Sequence, residues 1–197
     1  MTKGFDIREW MFRYRSYTPL PFLVLMAGFA RPTVASMLLG GAVLIAGELI
    51  RFWGVSIVGA ETRTTGSVGG TFLITSGPYA YVRNPLYLGN MLLYAGVGIM
   101  SMALFPWLLL AAVAWFALQY SLIVAREEEY LASQFGAAYD DYRKQVGRFV
   151  PRAKPYRSPQ PPPKSGSIAE GLASERRTLQ AIGLVTIAII VLYCVQR

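Results

Sequence analysis

Apolar residues in this chain come in long blocks separated by short polar and basic stretches. An uncharged block at 16–30 ends at Arg31-Pro32, a second fills 32–53 with Glu48 near its end, and 84–125 carries no formal charge. An α-helix rises ~1.5 Å per residue and about 20 apolar residues cross a bilayer. The uncharged stretch is therefore long enough for two crossings, predicted at 86–102 and 107–125 with a turn at Phe105-Pro106-Trp107. A last block at 178–196, rich in Ile, Val and Leu, predicts a fifth. The pattern is that of an all-α, polytopic membrane protein of about five transmembrane helices. Gly40, Gly41, Ala46 and Gly47 in the second block permit close helix packing.

The polar stretches divide the chain. Residues 1–15 interleave Lys3, Arg8, Arg13 and Arg15 with Trp10, Phe12 and Tyr14, the composition of an interfacial segment. A transmembrane hairpin follows at 16–53. Residues 54–151 form a core around the central hairpin 86–125, then come a basic, proline-rich linker at 152–177 and a C-terminal transmembrane helix at 178–197. Within the core, the glycines and hydroxyls of 54–84 predict irregular backbone, which must lie outside the hydrocarbon or be buried in protein. Leu131, Phe135, Tyr139 and Tyr142 recur at helical spacing around Gly136, predicting an amphipathic helix or two short ones on the membrane surface.

Charge sets the orientation. The chain has 54% hydrophobic and 15% charged residues and a net charge of +8, where a soluble domain has about 25% charged. With a cytoplasmic N-terminus, five spans place 54–84 and the strongly basic 126–177 on the cytoplasmic side, as the positive-inside rule requires. The positive charge is then read as flanks lying against anionic lipid headgroups, with no nucleic-acid partner. The absence of histidine excludes His-based triads, most zinc sites and the usual neutral-pH proton shuttle. The single Cys194 cannot form an internal disulfide, and no metal site is predicted.

Two polar motifs flank the central hairpin. The first, GPYAYVRNPLYLG at 77–89, opens on a Gly-Pro turn signal. Pro85 restricts Asn84 to extended backbone and suits the first position of a helix, which makes Asn84 its cap. Arg83 and the tyrosines fit a membrane edge, where an arginine snorkels and aromatic residues form a belt. The second motif, REEEYLASQFGAAYDDYRKQVGRFVP at 126–151, places Glu127, Glu128 and Glu129 directly after an apolar span. Solvated helix termini would account for both motifs separately. Together they predict a polar pocket for a cationic or zwitterionic cofactor with hydroxyls to grip.

In these two motifs, their order and the single hairpin between them, the chain resembles the isoprenylcysteine carboxyl methyltransferase and phospholipid methyltransferase superfamily of integral membrane enzymes. The likeness covers roughly 60–151. It implies S-adenosylmethionine bound in a cytoplasmic pocket that is not a Rossmann site. By that resemblance the cofactor is held by Thr71, Phe72, Leu73 and Ile74, by Tyr79, by Asn84, Pro85, Leu86 and Tyr87, and by Glu127 or Glu128. Arg83, Asn84 and Arg126 would face the reacting group. The isoprenylcysteine enzymes have His-Pro where this chain has Asn84-Pro85, and the phospholipid branch is the closer match there.

Methyl transfer from a sulfonium is an in-line displacement, so alignment and exclusion of water are the main requirements. A carboxylate acceptor is already ionised and could be oriented by an arginine through two parallel bonds. An amine must first lose a proton, for which a glutamate, Tyr79, Tyr87 or water are the candidates. The expected acceptor, isoprenylcysteine-carboxylate-like or lipid, enters from the bilayer; an ethanolamine-headgroup phospholipid is the alternative. A non-catalytic membrane scaffold and a nicotinamide-dependent membrane reductase are the readings from other classes.

Overall fold

The computed structural model describes residues 6–58, 72–159 and 166–196. Six α-helices follow in order: α1 Ile7–Tyr14, α2 Leu20–Gly28, α3 Val34–Val58, α4 Pro85–Ser101, α5 Trp107–Gln145 and α6 Ile168–Val195. A 3-10 turn at Gly77–Ala80 precedes α4. The described residues contain no strand, only an isolated bridge between Val82 and Gly147. Three helices, α3, α5 and α6, are long and apolar enough to cross a membrane. The 17 residues of α4 reach about 25 Å.

The N-terminal region differs from the expected simple hairpin. The 9 residues of α2 rise only about 13 Å. Yet α1 and α2 succeed one another along α5 in antiparallel sense. Arg8 meets Glu129 at 2.6 Å, Thr18 donates to Gln119 at 2.8 Å, and the Phe22 and Phe116 rings lie 5.6 Å apart; past α2, the Arg31 amide donates to the Ser101 carbonyl at the end of α4 at 2.8 Å. The basic N-terminal segment is thus the first piece of a two-part helical column.

The centre of the bundle is the antiparallel α3–α4 pair, and glycines set its spacing. A Cβ on Gly40 would stand 2.5 Å from the Gly96 carbonyl oxygen, and one on Gly96 would stand 2.7 Å from that of Gly40. Farther along, a Cβ on Gly47 would lie 2.8 Å from the Gly89 oxygen, and one on Gly89 2.8 Å from the Gly47 oxygen. Backbone meets backbone at both places, as small residues allow between membrane helices. Gly41 has open space around it and Ala46 is exposed, so of the four small residues only Gly40 and Gly47 make this seam. Phe116, Ile123, Met100, Val97 and Leu93 complete the core on the α5 side.

α5 continues straight from the apolar span into the second motif, where Gly136, with φ of 48° and ψ of −124°, bends it. The expected surface helices thus begin as a direct continuation of the apolar span, and the backbone at Gly136 is non-helical and separates the last stretch, to Gln145, as a helix of its own. α6 starts at Ile168, well before the predicted 178, behind a capping box of Ser167 and Glu170.

Candidate active site

The first motif begins with a turn only glycine makes easily. Gly77 has φ of +59°, and a Cβ there would lie 2.6 Å from the Ile57 side chain. Pro78 then starts the 3-10 turn. Asn84 occupies the N-cap position of α4 and Pro85 its first residue, but the Asn84 side chain does not cap. Its Nδ2 donates instead to the Arg148 carbonyl at 3.2 Å.

That bond is one of several by which the second motif folds back over the first. The Arg83 amide donates to the Gly147 carbonyl at 2.9 Å, the Arg152 amide to Tyr81 at 2.9 Å, and the Tyr156 amide to Ala80 at 2.8 Å. The Tyr142 hydroxyl donates to the Tyr79 carbonyl at 2.6 Å. Buried Tyr139, Tyr142, Val146 and Tyr156 form a second small core beneath this clasp, with Leu73 packed against it. The two polar motifs thus meet at one end of the bundle.

Glu128 and Arg83 lock the clasp. Arg83 donates through Nε at 3.1 Å and Nη2 at 2.9 Å to Glu128 Oε1, and through Nη1 to the carbonyls of Arg143 and Val146. Arg148 pairs with the other carboxylate oxygen. Both side chains of the Arg83–Glu128 pair are 12% exposed. Glu128 is consumed by two guanidiniums, and Arg83 has used four of its five N–H donors.

Glu127 is placed differently. Its Oε1 accepts from the Tyr87 hydroxyl at 2.7 Å, and its Oε2 accepts from no described residue. The Tyr79 hydroxyl lies close by. Burial pushes that hydroxyl well above its usual range, and the Glu127 charge adds to the push against the opposing Arg51. Tyr79 therefore keeps its proton at neutral pH and serves as a donor, which removes it from the candidate bases. Ile74 is half-buried and Phe72 exposed; Thr71 lies outside the described residues. Leu86 lies against Gly54 of α3, where a Cβ would sit 2.8 Å from its Cδ2. Arg126, half-buried, makes no hydrogen bond or ion pair to a described residue.

A buried polar cluster sits just behind this site and was not predicted. Arg51 crosses α4 at Gly89, where a Cβ would strike its side chain. Its Nη1 donates to Asn90 Oδ1, and its Nη2 reaches both oxygens of Glu175 on α6, at 2.8 and 2.7 Å. Glu175 is only 1% exposed. Glu48, whose Oε2 is 3.8 Å from Arg51 Nε, has both oxygens buried without a hydrogen-bond donor among the described residues. The i,i+3 spacing of Glu48 and Arg51 at the end of an apolar block was the available signal. Arg148 lay inside the second motif but had no visible partner.

An open cavity of about 1010 Å³, lined by Arg31, Thr33, Phe105, Tyr193 and Gln196 among others, lies at the other end of the bundle. It takes no part in the meeting of the motifs.

The chemistry of the motif end suits S-adenosylmethionine. Tyr79 offers a proton-bearing hydroxyl, and Glu127 offers to a ribose hydroxyl or an ammonium an oxygen that no described residue hydrogen-bonds. Tyr87 and Tyr120, tilted against one another with ring centroids 4.9 Å apart, wall it on the α4–α5 side.

Comparison with known proteins bears on the family. A stretch of 85 residues is 39% identical to the cobalt-zinc-cadmium resistance protein CzcN of Cupriavidus metallidurans, covering 43% of this chain and 38% of that protein. Another of 88 residues is 36% identical to the nickel-cobalt-cadmium resistance protein NccN of Alcaligenes xylosoxydans xylosoxydans, covering 45% and 40%. A third, of 79 residues, is 38% identical to the protein-S-isoprenylcysteine O-methyltransferase of Schizosaccharomyces pombe, covering 40% and 33%. Each match thus spans less than half the length of the relative. Residues 35–138, more than half of the chain, match the phospholipid methyltransferase family. They contain the glycine seam, the first motif, the hairpin and both glutamates, and the chain belongs to that family, within the superfamily that the isoprenylcysteine methyltransferases share.

Proposed function

We propose that this membrane protein transfers a methyl group from S-adenosylmethionine to a lipophilic acceptor that reaches the site from the bilayer, on the cytoplasmic face. Bound there, the cofactor supplies an electrophilic methyl on a sulfonium. The chain's own groups hold and align. Tyr79 and Glu127 grip polar groups of the donor, the clasp of 146–156 over 79–83 excludes water, and Glu128 with Arg83 and Arg148 keeps the clasp shut.

The observation that carries this reading is the division of labour between adjacent carboxylates: Glu128 is neutralised by two arginines, whereas among the described residues Glu127 is hydrogen-bonded only by Tyr87. It also favours one acceptor class. Arg83 has no donor pair left to orient a carboxylate in parallel, which counts against a carboxylate acceptor. An amine-bearing phospholipid headgroup is the preferred acceptor. Arg126 supports an isoprenylcysteine-like carboxylate as the second reading. The basic residues Arg143, Lys144, Arg148 and Arg152 would rest against anionic headgroups. Metal resistance is a property stated of the bacterial relatives; among the described residues no group of three acidic, cysteine or histidine side chains could hold a metal.

Purified protein should bind S-adenosylhomocysteine saturably, and Glu127→Gln should weaken that binding by about 3- to 30-fold, the loss of one charge-assisted contact. Isothermal titration on folded protein decides it: no saturable binding by the wild type would remove the cofactor reading. Methyl incorporation into phosphatidylethanolamine vesicles against a farnesylated cysteine substrate separates the two acceptor classes.

Glu128→Ala has a different expected signature. It strands Arg83 beside two carbonyls and releases Arg148, so the clasp should open and proteolysis within 146–156 should accelerate. Unchanged cleavage kinetics would show that the clasp holds without this ion pair.

A further inference from the structure

We infer that Glu175, on the C-terminal helix and outside the family-matched residues, is a positioning residue of the candidate cofactor site, which it reaches by holding the Arg51 guanidinium against Asn90. The inference rests on the S-adenosylmethionine reading of that site.

The route is short and every step is a contact. Both oxygens of Glu175 accept from Arg51 Nη2, and Thr178 on the same helix accepts from that nitrogen at 3.3 Å. Arg51 Nη1 donates to Asn90, whose side chain faces the Tyr120 hydroxyl. The Tyr120 ring lies 4.9 Å from that of Tyr87, whose hydroxyl holds Glu127. Hydrogen bonds at either end, with Asn90 beside Tyr120 and one ring contact between them, thus link α6 to the carboxylate assigned to the donor.

Competition gives Glu175 its role. Glu48 stands one turn from Arg51 on the same helix, 3.8 Å away, with two buried oxygens that no described donor satisfies. A buried charge left without its partner is costly, so Glu48 and Glu175 compete for the one guanidinium between them. Glu175 holds one guanidinium nitrogen, Nη2, with both of its oxygens and thereby leaves Nη1 to Asn90. Without Glu175, Glu48 wins the guanidinium and Asn90 loses its donor. Two close contacts pin the start of α6 against the end of α3. The Gly166 amide donates to the Ile57 carbonyl at 3.1 Å, and Gly171 lies so close to Ser56 that a Cβ would strike its Oγ.

The test is a double-substitution cycle in the full-length protein in detergent, with S-adenosylhomocysteine as the probe. Glu175→Ala should weaken binding by roughly 3- to 30-fold, and Glu175→Gln, which keeps the shape but removes the anion and so leaves the guanidinium to Glu48, should weaken it comparably. In an Asn90→Ala background, where the route is already cut, Glu175→Ala should cause no further loss. Losses that multiply in the double variant would overturn the inference, because a merely structural contribution of α6 is independent of Asn90. If Glu175→Ala does not fold, Glu175→Gln takes its place in the cycle. If the wild type binds no S-adenosylhomocysteine, the cofactor reading falls and the same cycle is read as ligand-free thermal midpoints. There, non-additive shifts sustain the Glu175–Asn90 linkage and additive shifts overturn it.

Discussion

Arg51→Met is expected to destabilise the protein by about 3–5 kcal/mol, the cost of leaving a buried carboxylate without its partner. Glu175 is 1% exposed and both of its oxygens depend on this one guanidinium. Asn90 and Thr178 lose a donor at the same time. The bundle around them is largely apolar, so no other described cation stands ready to replace it. Unfolding in detergent, followed by helical signal against temperature or added denaturing surfactant, measures the effect. The size of the loss should depend on which partner is removed. Arg51→Met/Glu175→Leu should recover part of the stability, since an apolar pair of similar volume needs no compensation. A double variant as unstable as Arg51→Met alone would mean that the arginine stabilises by packing along Gly89, not by charge.

The second large effect is expected at the glycine seam. Gly96→Val should cost about 3 kcal/mol, at the upper end of overpacking penalties. Its Cβ would stand 2.7 Å from the backbone oxygen of Gly40 and from the Leu44 amide nitrogen. Backbone atoms cannot swing aside as a side chain can, so α3 and α4 must separate. That separation would pull Arg51 on α3 away from Asn90 on α4, and cofactor affinity should fall with stability. Gly41→Val is the matched control, because nothing lies within 4 Å of a Cβ there; it should change stability by no more than about 0.5 kcal/mol. Equal losses in the two variants would show that helix propensity, not helix contact, governs this position.

Much of this was legible in the chain because membrane helices announce themselves locally. Length and hydropathy of a segment decide whether it can cross, and α3, α4, α5 and α6 lie where apolar blocks predicted crossings. The Gly-Pro turn, the helix start at Pro85 and the position of Asn84 are likewise local consequences of backbone restriction. The motifs themselves carried the family, which residues 35–138 confirm.

What the sequence could not set is which polar groups meet, since that depends on how helices far apart in the chain are rotated and aligned. Glu127 and Glu128 are neighbours in sequence with identical chemistry. Their divergence, one locked between Arg83 and Arg148 and the other facing Tyr87, follows from the turn of α5 and from the return of 146–156 across the first motif. Asn84 stands at a cap position yet spends its side chain on Arg148 because that return passes within its reach. Arg51 and Glu175, separated by most of the chain, become partners only because glycines let α3, α4 and α6 approach closely enough for one guanidinium to bridge all three. Local pattern fixed the helices; contact between distant charges in a medium that cannot solvate them decided the site.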